Sequence, residues 1–324
     1  MKLLIISILI SSFASAYLSY GDASDGDCNF TTDTILNKAI WNCENLTVDA
    51  GVTITVNDSV NEPIQFRVKG TTVIDGTITV SANGITPGPG GGAGGTCNYG
   101  STCNTGAGEN GQDGDNGGFA GNGHGGGGSG AGFKVTGFPG IAGSGSGGND
   151  GAGGTAGSAF VTAASLETTL AGGRGGGAGG SGEDTGADVA SGGNGGAGSG
   201  SIAIISKGNI NISGTAIFNA VGGTGTARGT SLASAEGGDG GSGSGGAIYF
   251  VSGANVIISG TPTVNYNGGT GNTGAGSDGV GGAASDGILV VDDVDGSLTG
   301  AFNISADDVS TTPTGISDPP RFVP

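Results

Sequence analysis

Positive charge is what this chain has least of. Nine Lys and Arg stand against 27 Asp and Glu, with one His, for a formal net charge of -18. The few cations are scattered, so no basic patch exists to neutralise a phosphate backbone, and nucleic acid is excluded as a partner class. The one His, His124, sits in the run Gly-Asn-Gly-His-Gly-Gly and reads as a solvated side chain, not a general base. No Gly-x-Ser-x-Gly elbow and no Cys-x-x-Cys pair occurs, which removes the usual hydrolase and zinc signatures. Prolines are few, nine in all, and no strict Gly-X-Y repeat is present, so collagen is excluded as the whole account. Beyond the N-terminus no stretch is long and apolar enough to cross a bilayer, which takes about 20 residues.

The N-terminus reads as a secretory signal peptide over residues 1–16. Lys2 supplies the positive start, Leu3 to Ile10 the apolar run, and Ala14-Ser15-Ala16 the small-residue cleavage site. The mature chain is therefore expected to begin near Tyr17, without a membrane span, and to be secreted to the extracellular space or the cell surface. Four cysteines, an even number, suggest disulfides in an exported protein. The local pairs are Cys28 with Cys43 and Cys97 with Cys103; a zinc site would need a nearby His or a Cys-x-x-Cys, and neither is present. Asn29, Asn45, Asn57, Asn211 and Asn303 head Asn-x-Ser/Thr sequons and are candidate N-glycosylation sites.

What the chain has in excess is glycine. Gly accounts for 79 of 324 residues, where an average chain has about 7%. Much of it recurs every third position, as at 145, 148, 151, 154 and 157, at 173, 176, 179 and 182, and at 237, 240, 243 and 246. Three is the period of an extended polyproline-II-type helix and of neither an α-helix nor a strand. Such a helix has no internal hydrogen bonds, so its N–H and C=O groups need partners in neighbouring helices. Close approach then requires a side without Cβ, which means Gly every third residue. Further rows fall at 88/91/94, 108/111/114/117, 192/195/198, 268/271/274 and 276/279/282.

Between the rows lies a second repeat. The stretches starting at Ile64, Ile202 and Ile248 each carry Gly-Thr twelve residues on (Gly76-Thr77, Gly214-Thr215, Gly260-Thr261) and another Gly eight later (Gly84, Gly222, Gly268). Apolar β-branched residues alternate within them, such as Ile78 and Val80, Ile210 and Ile212, Val256 and Ile258, which is strand patterning. A weaker copy starts at Ile288 with Gly300 at its twelfth place, and an earlier relative runs from Leu46 to Val56. Repeats of this kind point to a stacked solenoid, since no copy can bury its apolar face alone. The expected fold is all-β: a parallel β-solenoid (β-helix) with an inserted bundle of polyglycine-II helices and little or no α-helix outside the signal peptide. The expected organisation is an N-terminal β cap with a disulfide over 17–62, a solenoid over 63–305 with excursions mainly at 85–200, 223–246 and 269–286, and an extended tail over 306–324.

Residues that break the glycine rows are the candidates for contact with a partner. Phe133, Phe138 and Ile141 form one island, Phe160 and Leu166 belong to another, and Phe119 and Tyr99 stand alone. They read either as exposed loop tips forming a binding surface or as plugs joining bundle to solenoid. Carboxylates are sparse in the strand repeats. Asp292, Asp293 and Asp295 read as a solvated or cation-binding turn. Gly179-Gly-Ser-Gly-Glu-Asp184 matches the first six places of a calcium-binding nonapeptide, and Asp113 and Asp115 lie beside Glu109, so calcium is a candidate ligand through Asp113, Asp115, Glu183 and Asp184. No cofactor is otherwise expected.

Rows such as Gly237-Gly-Asp-Gly-Gly-Ser-Gly-Ser-Gly-Gly246 resemble the polyglycine-II helices of phage long-tail-fibre tip adhesins and of the glycine-rich antifreeze protein of snow fleas. Together with the strand repeats, which resemble parallel β-helix proteins, the chain is similar to glycine-rich exported surface proteins of microbes over about residues 60–305. The resemblance implies architecture more than activity. The expected function is a non-enzymatic extracellular surface protein, a scaffold or adhesin that meets a cell-surface glycan or protein, or its own copies, through loop tips. The alternatives are an ice-binding protein using Thr71, Thr72, Thr77 and Thr79, or a polysaccharide-active β-helix enzyme.

Overall fold

The computed structural model describes residues 20–97, 111, 114, 126–144, 150–160, 170–183, 189–228, 236–271, 279–293 and 300–304. Among them there is no helix, and the chain winds through three-strand coils. The first coil lays down β1 (Cys28–Phe30), β2 (Thr34–Leu36) and β3 (Ile40–Cys43), and the second β4 (Leu46–Val48), β5 (Thr53–Val56) and β6 (Ile64–Val68). The third begins with β7 (Thr72–Ile74) and β8 (Thr77–Thr79). It then makes a long excursion carrying the two-residue strands β9 (Gly182–Glu183) and β10 (Val189–Ala190), and closes with β11 (Ile202–Ser206). The fourth is β12 (Ile210–Ile212), β13 (Ile217–Asn219) and β14 (Ala247–Ser252). The fifth is β15 (Val256–Ile258), β16 (Thr263–Asn265) and β17 (Ile288–Asp293), followed by β18 (Asn303–Ile304).

Equivalent strands stack in register into three parallel sheets. Sheet A is β1-β4-β7-β12-β15, sheet B is β2-β5-β8-β13-β16-β18, and sheet C is β3-β6-β11-β14-β17. This is the parallel β-solenoid anticipated from the repeats, and the N-terminal β cap expected over 17–62 is continuous with it, because β1, β2 and β3 pair directly onto the second coil. Period-two alternation supplies the core: Leu46, Ile54, Phe66, Ile74, Phe218 and Phe250 point inward from the three sheets and are fully buried. Aromatic rings stack along the axis, with Phe30 edge-on to both Trp41 and Phe66 at 5.9 and 6.1 Å and Phe218 edge-on to Phe250 at 5.0 Å.

The first coil is closed covalently. Cys28 on β1 and Cys43 at the end of β3 form the expected disulfide, their Cα atoms 5.6 Å apart. Cys97 is also disulfide-bonded; its expected partner Cys103 lies outside the described residues. The Cys28–Cys43 bond closes a loop of 15 residues, which corresponds to about 3 kcal/mol of lost unfolded-state entropy. Replacing both cysteines with Ser is therefore expected to destabilise the protein by about that amount. Urea unfolding checks it, and an unchanged midpoint would contradict it.

All three excursions leave after a strand of sheet B and return into a strand of sheet C, between residues 79 and 202, 219 and 247, and 265 and 288. Strand and polyglycine-II geometry have nearly the same rise, about 3.3 and 3.1 Å per residue, so one runs into the other without a turn. Rows 192–200, 236–246 and 279–287 feed straight into β11, β14 and β17. They keep the parallel neighbour relation of those strands: Gly193, Gly196 and Ser199 donate to the carbonyls of Gly238, Gly241 and Ser244, while Asp239, Ser242 and Gly245 donate to Gly279, Gly282 and Ser285.

Row 236–246 is the axis of the bundle. Its backbone donates on three sides in turn. Gly238, Gly241 and Ser244 bond to Gly180, Gly177 and Arg174, and Gly240, Gly243 and Gly246 bond to Thr226, Gly223 and Ala220. The third set is the one just described, to row 279–287. It accepts from three further rows, 192–200, 126–132 (Gly128 and Ala131) and 267–271 (Gly269). The six surrounding rows also bond to one another in sequence around the ring: Gly176 to Gly196, Gly223 to Ala197, Gly222 to Asn267, Ala284 to Gly269, Gly282 to Gly128 and Gly177 to Ser129. That is hexagonal packing of threefold helices, with three donor and three acceptor sides on the axial row. Rows 126–132, 137–143 and 222–226 belong to it although their spacing is masked in the sequence by adjacent glycines and by Phe133, Phe138 and Ile141.

Candidate functional site

The excursions also explain why sheet C is buried on both faces. β11 and β14 show no exposed position, against the alternation of the strands in sheets A and B. Their inward residues join the solenoid core. Their outward residues, Ala203, Ile205, Tyr249 and Val251 with Val290 of β17, form a second apolar cluster closed by Phe133. Phe133 ends row 126–132, is completely buried, and meets Phe160 edge-on at 5.1 Å. Phe160 packs against the cluster with Leu170 and carries the Arg174 guanidinium 4.5 Å over its ring. Phe133 and Phe160 are thus plugs between bundle and solenoid. Phe133 is corrected as a binding residue, because a fully buried ring offers nothing to a partner.

Phe138 and Ile141 behave differently. They are 61% and 52% exposed, and Val135, which the sequence reading passed over, is 51% exposed. Phe138 and Ile141 stand three apart within row 137–143, so on a threefold helix they share one side about 9 Å apart. Val135 lies instead in the bend before that row, where the Phe133 N–H donates to the Val135 carbonyl. Row 137–143 is an edge row of the array. Its inner side is glycine, with Gly137, Gly140 and Gly143 donating to Gly157, Gly154 and Gly151, and Phe138 and Ile141 bond through their N–H groups to Ala283 and Val280. The backbone under this apolar ridge is therefore fixed, while its side chains face water. Leu166, Phe119 and Tyr99 lie outside the described residues, as does His124.

Ionisable groups are few and dispersed. Asp292 is placed in β17, not in a turn, and is 3% exposed, which corrects the solvated-turn reading. It lies beside Tyr20, whose hydroxyl is pushed up to about 12 by burial first and by that carboxylate second. Arg228 and Glu236 pair at 2.8 Å where the second excursion turns back, and the buried Asp239 carboxylate accepts the N–H of Arg228. Among the described residues no group of three or more His, Cys, Asp or Glu could hold a metal ion. Asp113, Asp115 and Asp184 fall outside them, and Glu183 lies in β9.

The sequons divide by environment. Asn29, Asn57 and Asn303 are exposed. Asn45 is consumed structurally, since its Oδ1 accepts the N–H of Thr71 and its Nδ2 donates to Asp27. Asn211 lies half-buried within β12, between β7 and β15. Among the described residues no helix is long and apolar enough to cross a membrane. No protein-family model matches the chain, and no curated protein and no solved structure matches it either.

Proposed function

We propose that this is a non-enzymatic extracellular surface protein, an adhesin whose rigid polyglycine-II bundle presents an apolar ridge to a partner on another surface. The observation that carries it is the exposure of Phe138 and Ile141, three apart on a hydrogen-bonded edge row, with Val135 exposed in the bend that leads into it. Side chains fixed on a rigid backbone lose little entropy on contact, which favours binding. Secretion is supported by the Cys28–Cys43 disulfide, a bond that persists in oxidising compartments. Changing Phe138 and Ile141 together to Ala is expected to weaken retention on intact cells about tenfold or more without lowering the melting temperature, as for central apolar anchors. Equal retention of the double variant would remove the ridge as the contact surface.

An ice-binding role is a second reading, and the outer face of sheet B favours it. Pairing aligns Thr53, Thr77, Ile217 and Thr263 in one column, and Ile35 with Thr55 and Asn219 with Asn265 in the next, where Asn219 also faces Thr79. The columns repeat every 4.8 Å or so along the axis. Thr72, expected to contribute, is fully buried. Thermal hysteresis lost in a Thr53→Val/Thr77→Val variant would support this reading, and a wild-type protein without hysteresis would eliminate it.

A further inference from the structure

We propose that the cleft where the chain leaves the solenoid for its first excursion binds a neutral sugar unit, with Thr55, Asn57, Asp58, Thr79, Asn83 and Thr86 as its polar lining. The cleft has a volume of about 230 Å³ and is built by two coils: 55–60 of the second and 79–89 of the third. That is below the ~300–1,000 Å³ of pockets that enclose drug-sized ligands, so it has room for one ring of a carbohydrate and not for a long segment.

The lining selects the ligand by what it contains and by what it omits. There is no Lys, Arg or His, and one carboxylate sits on a molecule of net charge -18, so phosphate, sulfate and uronate groups are repelled. No aromatic ring is present to stack a nucleobase. A single carboxylate does not make a divalent cation site, which takes six or more oxygens. What is present is a dense set of hydroxyl, amide and carboxylate groups, the chemistry that pairs with adjacent sugar hydroxyls. Val56, Val60, Val80, Pro87 and Pro89 supply the apolar walls that a sugar's C–H face requires.

The backbone that carries most of these groups is fixed before any ligand arrives. Thr55 and Thr79 stand on paired strands β5 and β8. Asn83 and Thr86 are pinned by reciprocal backbone hydrogen bonds at 2.9 and 3.0 Å. Asn57 Oδ1 accepts both the N–H and the hydroxyl of Ser59, at 2.9 and 2.7 Å, which leaves its Nδ2 hydrogens to be used. Ser81 ties the floor to the fourth coil by accepting the N–H of Val221. Preorganisation of this kind lowers the entropic cost of holding a small polar ligand.

The inference does not rest on the ridge of the edge row. The test is an NMR titration of the full chain with glucose, galactose, mannose and N-acetylglucosamine, with linear neutral trimers, and with glucuronate. At least one neutral sugar is expected to saturate shifts at residues 55–60 and 79–89, with a Kd on the order of 1 mM. The trimers separate a polymer end from a free sugar as the natural source. Asp58→Ala and Thr86→Val are each expected to weaken binding about tenfold by removing one hydrogen-bonding group, while Thr32→Val and Glu44→Gln, at exposed positions away from the cleft, leave it unchanged. Two variants guard against one failing to fold. Absence of saturable shifts with every neutral sugar, glucuronate binding as tightly as glucose, or wild-type affinity in both cleft variants would overturn the proposal.

Discussion

Gly241→Ala is expected to destabilise the bundle by about 3 kcal/mol or more, at the upper end of what overpacking costs. Gly241 lies at the middle of the axial row. A Cβ built on it would stand 2.0 Å from the carbonyl oxygen and 2.3 Å from the carbonyl carbon of Ser129, with Gly128 O at 2.8 Å. The obstruction is backbone, so no side-chain rotation relieves it. The neighbouring row 126–132 would have to move away, and its bonds from Gly128 and Ala131 to the axial row would lengthen or break. Each such bond contributes only about 0.5–1.5 kcal/mol net, and ordering each residue costs about 1–2 kcal/mol, so the lattice holds only while nearly all its bonds are made. The expected result is a lower melting temperature and faster amide exchange in rows 126–132, 173–180 and 193–199, with strands of the first two coils still protected. Ala152→Ser, at an exposed position of an outer row, should leave both unchanged. A Gly241→Ala protein that melts like the wild type would refute hexagonal backbone packing as the source of bundle stability.

Phe133→Ala is the second large effect, expected to cost about 3–5 kcal/mol. The ring is fully buried between row 126–132 and the outer face of β11, β14 and β17, where it closes a cluster otherwise made of Ala203, Ile205, Ala247, Tyr249, Val251 and Val290. Its removal leaves a cavity that a rigid lattice on one side and a hydrogen-bonded sheet on the other cannot close. Because the cluster is separate from the solenoid core, the damage should be local. Hydrogen exchange should show the layer holding 126–132 and 151–157 opening while β4–β8 retain wild-type protection. Phe133→Leu should recover part of the loss by refilling volume. Uniform loss of protection over the whole solenoid would show instead that the two apolar clusters unfold as one unit.

Much of the architecture was legible in the sequence because it rests on two short periods. Period two with β-branched residues gives a strand wherever it occurs, and Ile64, Ile202 and Ile248 do lie opposite one another. Turns were read less well. Thr77 pairs with Ile217 and Thr263, not with Thr215 and Thr261. The shared Gly-Thr therefore marks a turn in two copies and the start of a strand in the other, because the connection from β7 to β8 is two residues shorter than that from β12 to β13. The weaker copy is likewise one residue out of step, with Leu289, not Ile288, opposite Ile248. Loop length sets where a strand begins, and a motif search that assumes equal spacing misplaces it.

The candidate sites depended more on packing. The same island holds Phe133 and Phe138, five positions apart and chemically identical, yet one is sealed inside and the other lies in water. Val135 was passed over because a single valine in the bend between two rows carries no periodic signal. The cleft at 55–60 and 79–89 joins residues of two coils, and no local pattern links them.

Sequence alone determined the kinds of backbone this protein uses, the coil-and-excursion order and the pairing of Cys28 with Cys43, because these follow from side-chain periods and from proximity along the chain. Only the tertiary structure decided which rows are neighbours, that sheet C is covered on its outer face, and which apolar residues remain exposed. The reason is physical: a glycine row offers the same backbone groups on every side, so its partners are chosen by where the solenoid delivers it and by which neighbours leave room for no Cβ.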